Sequence, residues 1–104
     1  MSVRQLNLMV LPMMLTATLA AAAAADERAA AQVLAGPCAG CHGPDGHSPG
    51  AMPSIAGRPE AELLARMTSF RDGTADATVM TRLMKGYDEA QIATLAHWFA
   101  EVGQ

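Results

Sequence analysis

The sequence predicts an all-α domain, with three helices wrapped around a centre that the polypeptide does not itself supply. Three observations lead there. Apolar residues recur at helical spacing in three separate segments, and no segment alternates as a strand would. The folded part is short and has only four aromatic residues, too little for a sufficient core of its own. Both cysteines lie in one stretch, Cys38-Ala39-Gly40-Cys41-His42, with a histidine directly behind the second.

The first 25 residues read as a secretory signal. Arg4 is the positive start, residues 6–19 are the apolar middle, and the alanines from Ala20 to Ala25 are the small-residue end, closed by Asp26-Glu27-Arg28. Cleavage is expected before Asp26. It divides the chain into a leader, residues 1–25, and a domain, residues 26–104, of 104 − 25 = 79 residues. The rival is an uncleaved anchor, since residues 6–25 just reach spanning length; Pro12 and the weak apolarity of alanine count against it. Six basic residues against ten acidic ones leave the domain at −4, so nothing electrostatic favours nucleic acid. Five of the six bases lie between Arg58 and Lys85. That asymmetry suits docking of a partner or neutralising an anionic cofactor, with ordinary solvated charge as the plain alternative.

The first helix is expected to start at Asp26, with Ala30, Val33 and Leu34 as its apolar stripe, and to stop at Gly36-Pro37. Residues 43–57 hold four glycines and three prolines and read as a long loop, of the kind that wraps something. Pro59 suits the first position of a second helix, with Glu60 and Glu62 in its opening turn. Leu63, Met67 and Phe70 form its stripe, with Leu64 beside them, and Asp72-Gly73 ends it. A second loop leads to Val79-Met80. The last helix takes Asp88 as its N-cap and carries Ile92, Leu95, Ala96 and Phe99, with Trp98 and Val102 widening the stripe.

A two-residue gap between cysteines permits three chemistries. A thioredoxin-like pair needs a strand before it, and a zinc site needs two further ligands at metal-like spacing; His42, His47 and His97 make a poor set. The third is covalent haem attachment. Each thiol forms a thioether to one vinyl group, and the next residue, His42, turns its imidazole beneath the iron. Haem also fills the missing interior, being a large and mostly apolar body. The sixth iron position then needs a ligand. Met67 lies on a core stripe, Met52 and His47 are close to His42 on its own loop, and His97 is expected at the surface or satisfied. Met80 lies 38 residues beyond His42, after a loop that can travel around the haem; Met84 is the runner-up.

With these residues in place, the chain resembles the class I cytochromes c over essentially all of residues 26–104. More narrowly it resembles the haem subunits of flavocytochrome c sulfide dehydrogenase. The stretches that carry the resemblance are CAGCHGPDG, MPSIAGR, FRDGTADATVMTRLMKGY and DEAQIATLAHWFA. The resemblance implies one haem c, joined to Cys38 and Cys41, with His42 and Met80 as axial ligands. It implies that Pro53 gives its carbonyl to the ring N–H of His42, and that the first and last helices cross closely, with Ala30 and Leu34 meeting Leu95 and Trp98. Ala30 stands where many relatives carry glycine, which implies a slightly wider crossing. The second C-x-x-C-H of the two-haem relatives is not in this sequence.

Histidine and methionine together raise the haem potential and leave the iron no open site. The expected function is therefore periplasmic single-electron transfer rather than catalysis. The expected donor is a flavoprotein that oxidises sulfide, met either as a free carrier or as the haem subunit of an oxidoreductase complex. The alternative is a labile methionine ligand, which would open the iron to peroxide or a gas. Arg58, just after the Pro53–Gly57 stretch, is a candidate partner for a haem propionate.

Overall fold

A computed structural model describes residues 3–103. Five α-helices follow in order: α1 Val3–Ala35, α2 Ala39–His42, α3 Glu60–Asp72, α4 Met80–Leu83 and α5 Glu89–Glu101. Short 3-10 turns occupy Gly36–Cys38, Pro44–Gly46 and Met84–Gly86. No strand occurs among the described residues, so the all-α expectation holds. The chain forms two compact units, divided between Ala30 and Ala31.

The first unit is helix throughout its described part. α1 runs straight through Asp26, where the sequence placed a helix start. Alanine has the highest helix propensity, so the run from Ala20 to Ala25 carries the winding forward, and no Gly or Pro interrupts it between Pro12 and Ala35. Among the described residues no helix is long and apolar enough to cross a membrane.

The second unit holds the core. Phe99, Ile92 and Leu95 are its largest fully buried side chains, joined by Leu63, Met67, Met84, Ala96 and Trp98. α5 packs chiefly on α3, and α3 also packs on α4 and the turn behind it. The last turn of α1 reaches the same cluster through Ala31 and Ala35, with Leu34 half-buried beside them. This corrects the expected stripe: Ala30 is exposed and Val33 is 77% exposed. In an alanine-rich helix the composition is nearly the same all round, so apolar spacing does not set the buried face. The end of α1 and α5 do not close fully on each other. A pocket of about 260 Å³ remains there, lined by Gln32, Ala35, Gly36, Asp45, Trp98 and Phe99, among others.

Helix ends explain why α3 and α5 lie where they do. Pro59 caps α3 from an extended conformation (ψ 132°) and is not its first residue; Glu60 and Glu62 follow in the first turn, where a negative charge meets the positive end of the helix dipole. At the other end Thr74 N–H bonds the Ser69 carbonyl (3.0 Å) and Gly73 N–H the Phe70 carbonyl (3.3 Å), the paired closure of a Schellman motif. α5 opens with a full capping box. Asp88 accepts from the Gln91 backbone (2.8 Å), and the Gln91 side chain accepts from the Asp88 backbone (2.9 Å). Tyr87 before the cap and Ile92 within the helix belong to one cluster, at the spacing of a hydrophobic staple.

Replacing Asp88 by Ala removes one half of this box. We expect Asp88→Ala to lower unfolding stability by about 1 kcal/mol, read from the urea midpoint with unchanged m-value.

Candidate functional site

The cysteine segment is wound tightly by local sequence. Pro37 pre-sets the 3-10 turn at Gly36–Cys38, and α2 follows directly, so Cys38 and Cys41 stand on consecutive turns of one winding. No disulfide joins them; Cys38 is half-buried and Cys41 exposed. Burial pushes the Cys38 thiol above its ordinary pKa, partly opposed by a backbone hydrogen bond.

His42 ends α2 and is buried. Its Nδ1 lies 2.6 Å from the carbonyl oxygen of Pro53. A carbonyl can only accept, so Nδ1 carries the proton and donates, which leaves the lone pair on Nε2. The imidazole is thus oriented from behind, with its coordinating atom presented forward.

Pro53 reaches His42 because the loop between them is folded back and pinned. Ile55 N–H (2.9 Å) and Ala56 N–H (3.2 Å) both donate to the Gly46 carbonyl, and Gly57 N–H donates to the Phe99 carbonyl on α5 (2.7 Å). Gly46 has φ 80°, and a Cβ there would meet Ile55 at 2.8 Å and the Phe99 ring at 2.9 Å. Gly43, at φ 83°, is more constrained: a Cβ would fall 1.9 Å from the His47 carbonyl oxygen. Only glycine fits either position.

The candidate sixth ligands fall into distinct environments. Met67 and Met84 are core residues, Met84 only 3% exposed. Met52 is exposed on the loop, and His47 is also exposed. His97 is exposed, with Nδ1 3.2 Å from a Glu60 carboxylate oxygen. Met80 is half-buried at the first position of α4, against the core. Arg58 is exposed and paired with Glu62 one helical turn on.

The residues present fit a covalent haem. Two thiols stand on one winding, and a fixed imidazole presents Nε2. Val79 (55% exposed) and Leu83 (50%) flank Met80 with uncovered apolar surface that a porphyrin would bury. Among the described residues no group of three His, Cys, Asp or Glu side chains is placed to hold a metal ion, which leaves the zinc reading without ligands.

Sequence reasoning missed Tyr87 as part of this site. Its hydroxyl donates to the Leu34 carbonyl (3.2 Å), one of the last carbonyls of α1, just ahead of the cysteine turn. The partner lies 53 residues away, and no local pattern announces it.

A small all-α domain with such a turn and such a histidine is a covalent haem-binding protein. The chain belongs to the cytochrome c family, whose family model matches residues 27–102. It is 36% identical over 73 residues to the cytochrome subunit of sulfide dehydrogenase from Chlorobaculum tepidum, covering 70% of this chain and 66% of that protein. It is 36% identical over 97 residues to cytochrome c4 from Pseudomonas aeruginosa, covering 91% of this chain and 48% of that one. A third relative, the thiosulfate dehydrogenase electron acceptor of Thiomonas intermedia, is 36% identical over 76 residues, 71% of this chain and 35% of that protein. The chain thus spans about two thirds of the first relative's length and less than half of the other two. Its cofactor is haem c, bound covalently.

Burial pushes the Tyr87 phenol above its ordinary pKa. A raised folded-state pKa means that the fold favours the protonated phenol. This contribution is full below the unfolded-state value, about pH 10, and is lost as pH rises through the higher folded value. We expect unfolding stability to fall above about pH 10, with a smaller fall in Tyr87→Phe, read from urea midpoints across pH.

Proposed function

We propose that this chain is an exported, periplasmic single-haem electron carrier whose iron is held by His42 and Met80. The observation that carries the proposal is the His42–Pro53 hydrogen bond, which leaves Nε2 as the only ring nitrogen able to coordinate. Bound haem supplies a one-electron ferric–ferrous couple, and thioether ligation favours the ferrous side. The protein's own residues supply the rest. Cys38 and Cys41 anchor the cofactor, and the Pro53 carbonyl fixes the tautomer and increases imidazole donation. Met80 is favoured over Met84 because Met84 is committed to the core. Arg58 remains a candidate for a propionate, in competition with Glu62.

Residues 1–25 are proposed as a cleaved signal, leaving residues 26–104 outside the cytoplasm, where thioether attachment takes place. The proposed electron donor is a flavoprotein oxidising a reduced sulfur compound such as sulfide. Support comes from two relatives, a subunit of sulfide dehydrogenase and an electron acceptor of thiosulfate dehydrogenase.

Ligation is tested by paired variants. Met80→Ala is expected to lower the midpoint potential, abolish the methionine–iron charge-transfer band and admit carbon monoxide. Met84→Ala is expected to keep the band and lose about 2–5 kcal/mol of stability as a core truncation. The reverse pattern contradicts the assignment. Ready carbon monoxide binding by the unaltered protein favours a catalytic or gas-sensing haem.

A further inference from the structure

The segment that carries Met80 is fixed mainly from behind. It follows a loop, residues 73–79, and α4 itself is four residues long, too short to keep its place by its own winding. Behind Met80 the backbone is hydrogen-bonded onward to Tyr87. Met84 N–H donates to the Met80 carbonyl, and Tyr87 N–H donates to the Met84 carbonyl (3.2 Å). Met84 is buried, and Tyr87 stands directly before the capping box of α5. From there the half-buried Tyr87 side chain reaches the end of α1, where its hydroxyl donates to the Leu34 carbonyl (3.2 Å). Leu34 lies four residues, about one helical turn, before Cys38. Leu34, Cys38, Met80 and Tyr87 all pack against the same core cluster. Among the described residues no other hydrogen bond joins residues 31–42, which hold both cysteines and His42, to residues 80–87. The bond spans the two stretches that must stay in register if both are to grip one haem.

We propose that Tyr87 is a positioning residue for the sixth iron ligand: through its bond to the Leu34 carbonyl it keeps Met80 seated and external ligands out. The inference rests on Met80 as that ligand. A shift of α4 away from the cysteine segment breaks the Tyr87–Leu34 bond, so the bond stabilises the closed arrangement over the open one. A hydrogen bond of ordinary net strength makes the open arrangement about two- to tenfold rarer. Burial of the ring cannot replace it, because apolar burial is non-directional, whereas a hydroxyl donating to one carbonyl sets a distance and a direction. The consequence is functional. A sixth position that stays occupied suits the iron to electron transfer, and the Tyr87 hydroxyl protects that occupancy from the far side of the domain.

The test is titration of the oxidised holoprotein with imidazole, followed at the methionine–iron charge-transfer band. Imidazole donates a nitrogen lone pair to the iron as the Met80 thioether leaves with its own, and neither electron nor proton is transferred. Imidazole enters only the open arrangement, so its apparent affinity follows the open fraction. Tyr87→Phe keeps the ring and removes the bond; it should bind imidazole about two- to tenfold more tightly than the unaltered protein. Ala93→Gly, at an exposed position within α5, destabilises the fold through helix propensity and should leave the imidazole affinity unchanged. An unchanged affinity in Tyr87→Phe overturns the inference. So does an equal tightening in Ala93→Gly, since it makes the effect one of general stability. Met80→Ala separates the inference from the ligand assignment on which it rests, because it should bind imidazole without competition and show no band. If Met80→Ala binds imidazole no more tightly than the unaltered protein, the assignment fails and the inference with it. If Met80→Ala behaves as expected and Tyr87→Phe is silent, the assignment stands and this inference alone fails.

Discussion

The hydrogen bond from His42 to the Pro53 carbonyl is the constraint on which the rest of the site depends. It leaves Nε2 as the ring nitrogen that the proposed ligation would use, and it orients the imidazole. Its formation requires the loop between the two residues to return on itself, which in turn requires glycine at positions 43 and 46. The loop holds this path because α5 anchors it, through the Phe99 carbonyl to Gly57 and through the Phe99 ring against Gly46. The last helix therefore acts at a distance on the coordinating atom. Under the proposed ligation by His42, a substitution that moves α5 would reach Pro53 first and the iron through it.

The same logic accounts for the division of labour among the methionines. A core of this size cannot leave Met67 or Met84 free, since each fills volume between α3, α4 and α5. Met80 begins a helix of only four residues, where the chain has just emerged from a loop and can approach a ligand plane. The apolar side chains on either side of it, Val79 and Leu83, are left open by the polypeptide. Their exposure in a chain with so few aromatics is the physical sign that the cofactor completes the interior. Tyr87 ties the other side together, joining the start of α5 to the end of α1 just before the cysteines.

Much of this was legible in the sequence, for reasons that can be named. Asp72-Gly73 and Asp88 are strong boundary signals, so α3 ends and α5 begins where expected. The α5 stripe is well defined because its large apolar residues alternate with polar ones at helical spacing. The spacing of Cys38 and Cys41 points to covalent haem, which membership of the cytochrome c family bears out; the axial role of His42 stays a proposal. The phase of α1 was not legible, because alanine on every face leaves no period to read; burial fell on Ala31 and Ala35, not on Ala30 and Val33. The continuity of α1 through Asp26 follows from the same alanine-rich composition. α4 is too short to show any period. Gly46, Tyr87 and the Gly57–Phe99 bond depend on partners far along the chain, which no local pattern reveals. The Asp88–Gln91 box, by contrast, is a local three-residue spacing and is visible in the sequence.

The central claim is that a covalently attached haem, held by these two cysteines, completes this domain. Intact-mass spectrometry of the exported protein after denaturation tests it most directly, because only a covalent haem survives unfolding. The account predicts one species, with the mass of residues 26–104 plus one haem. A mass with no haem, or one lighter by the two hydrogens of a Cys38–Cys41 disulfide, would contradict it.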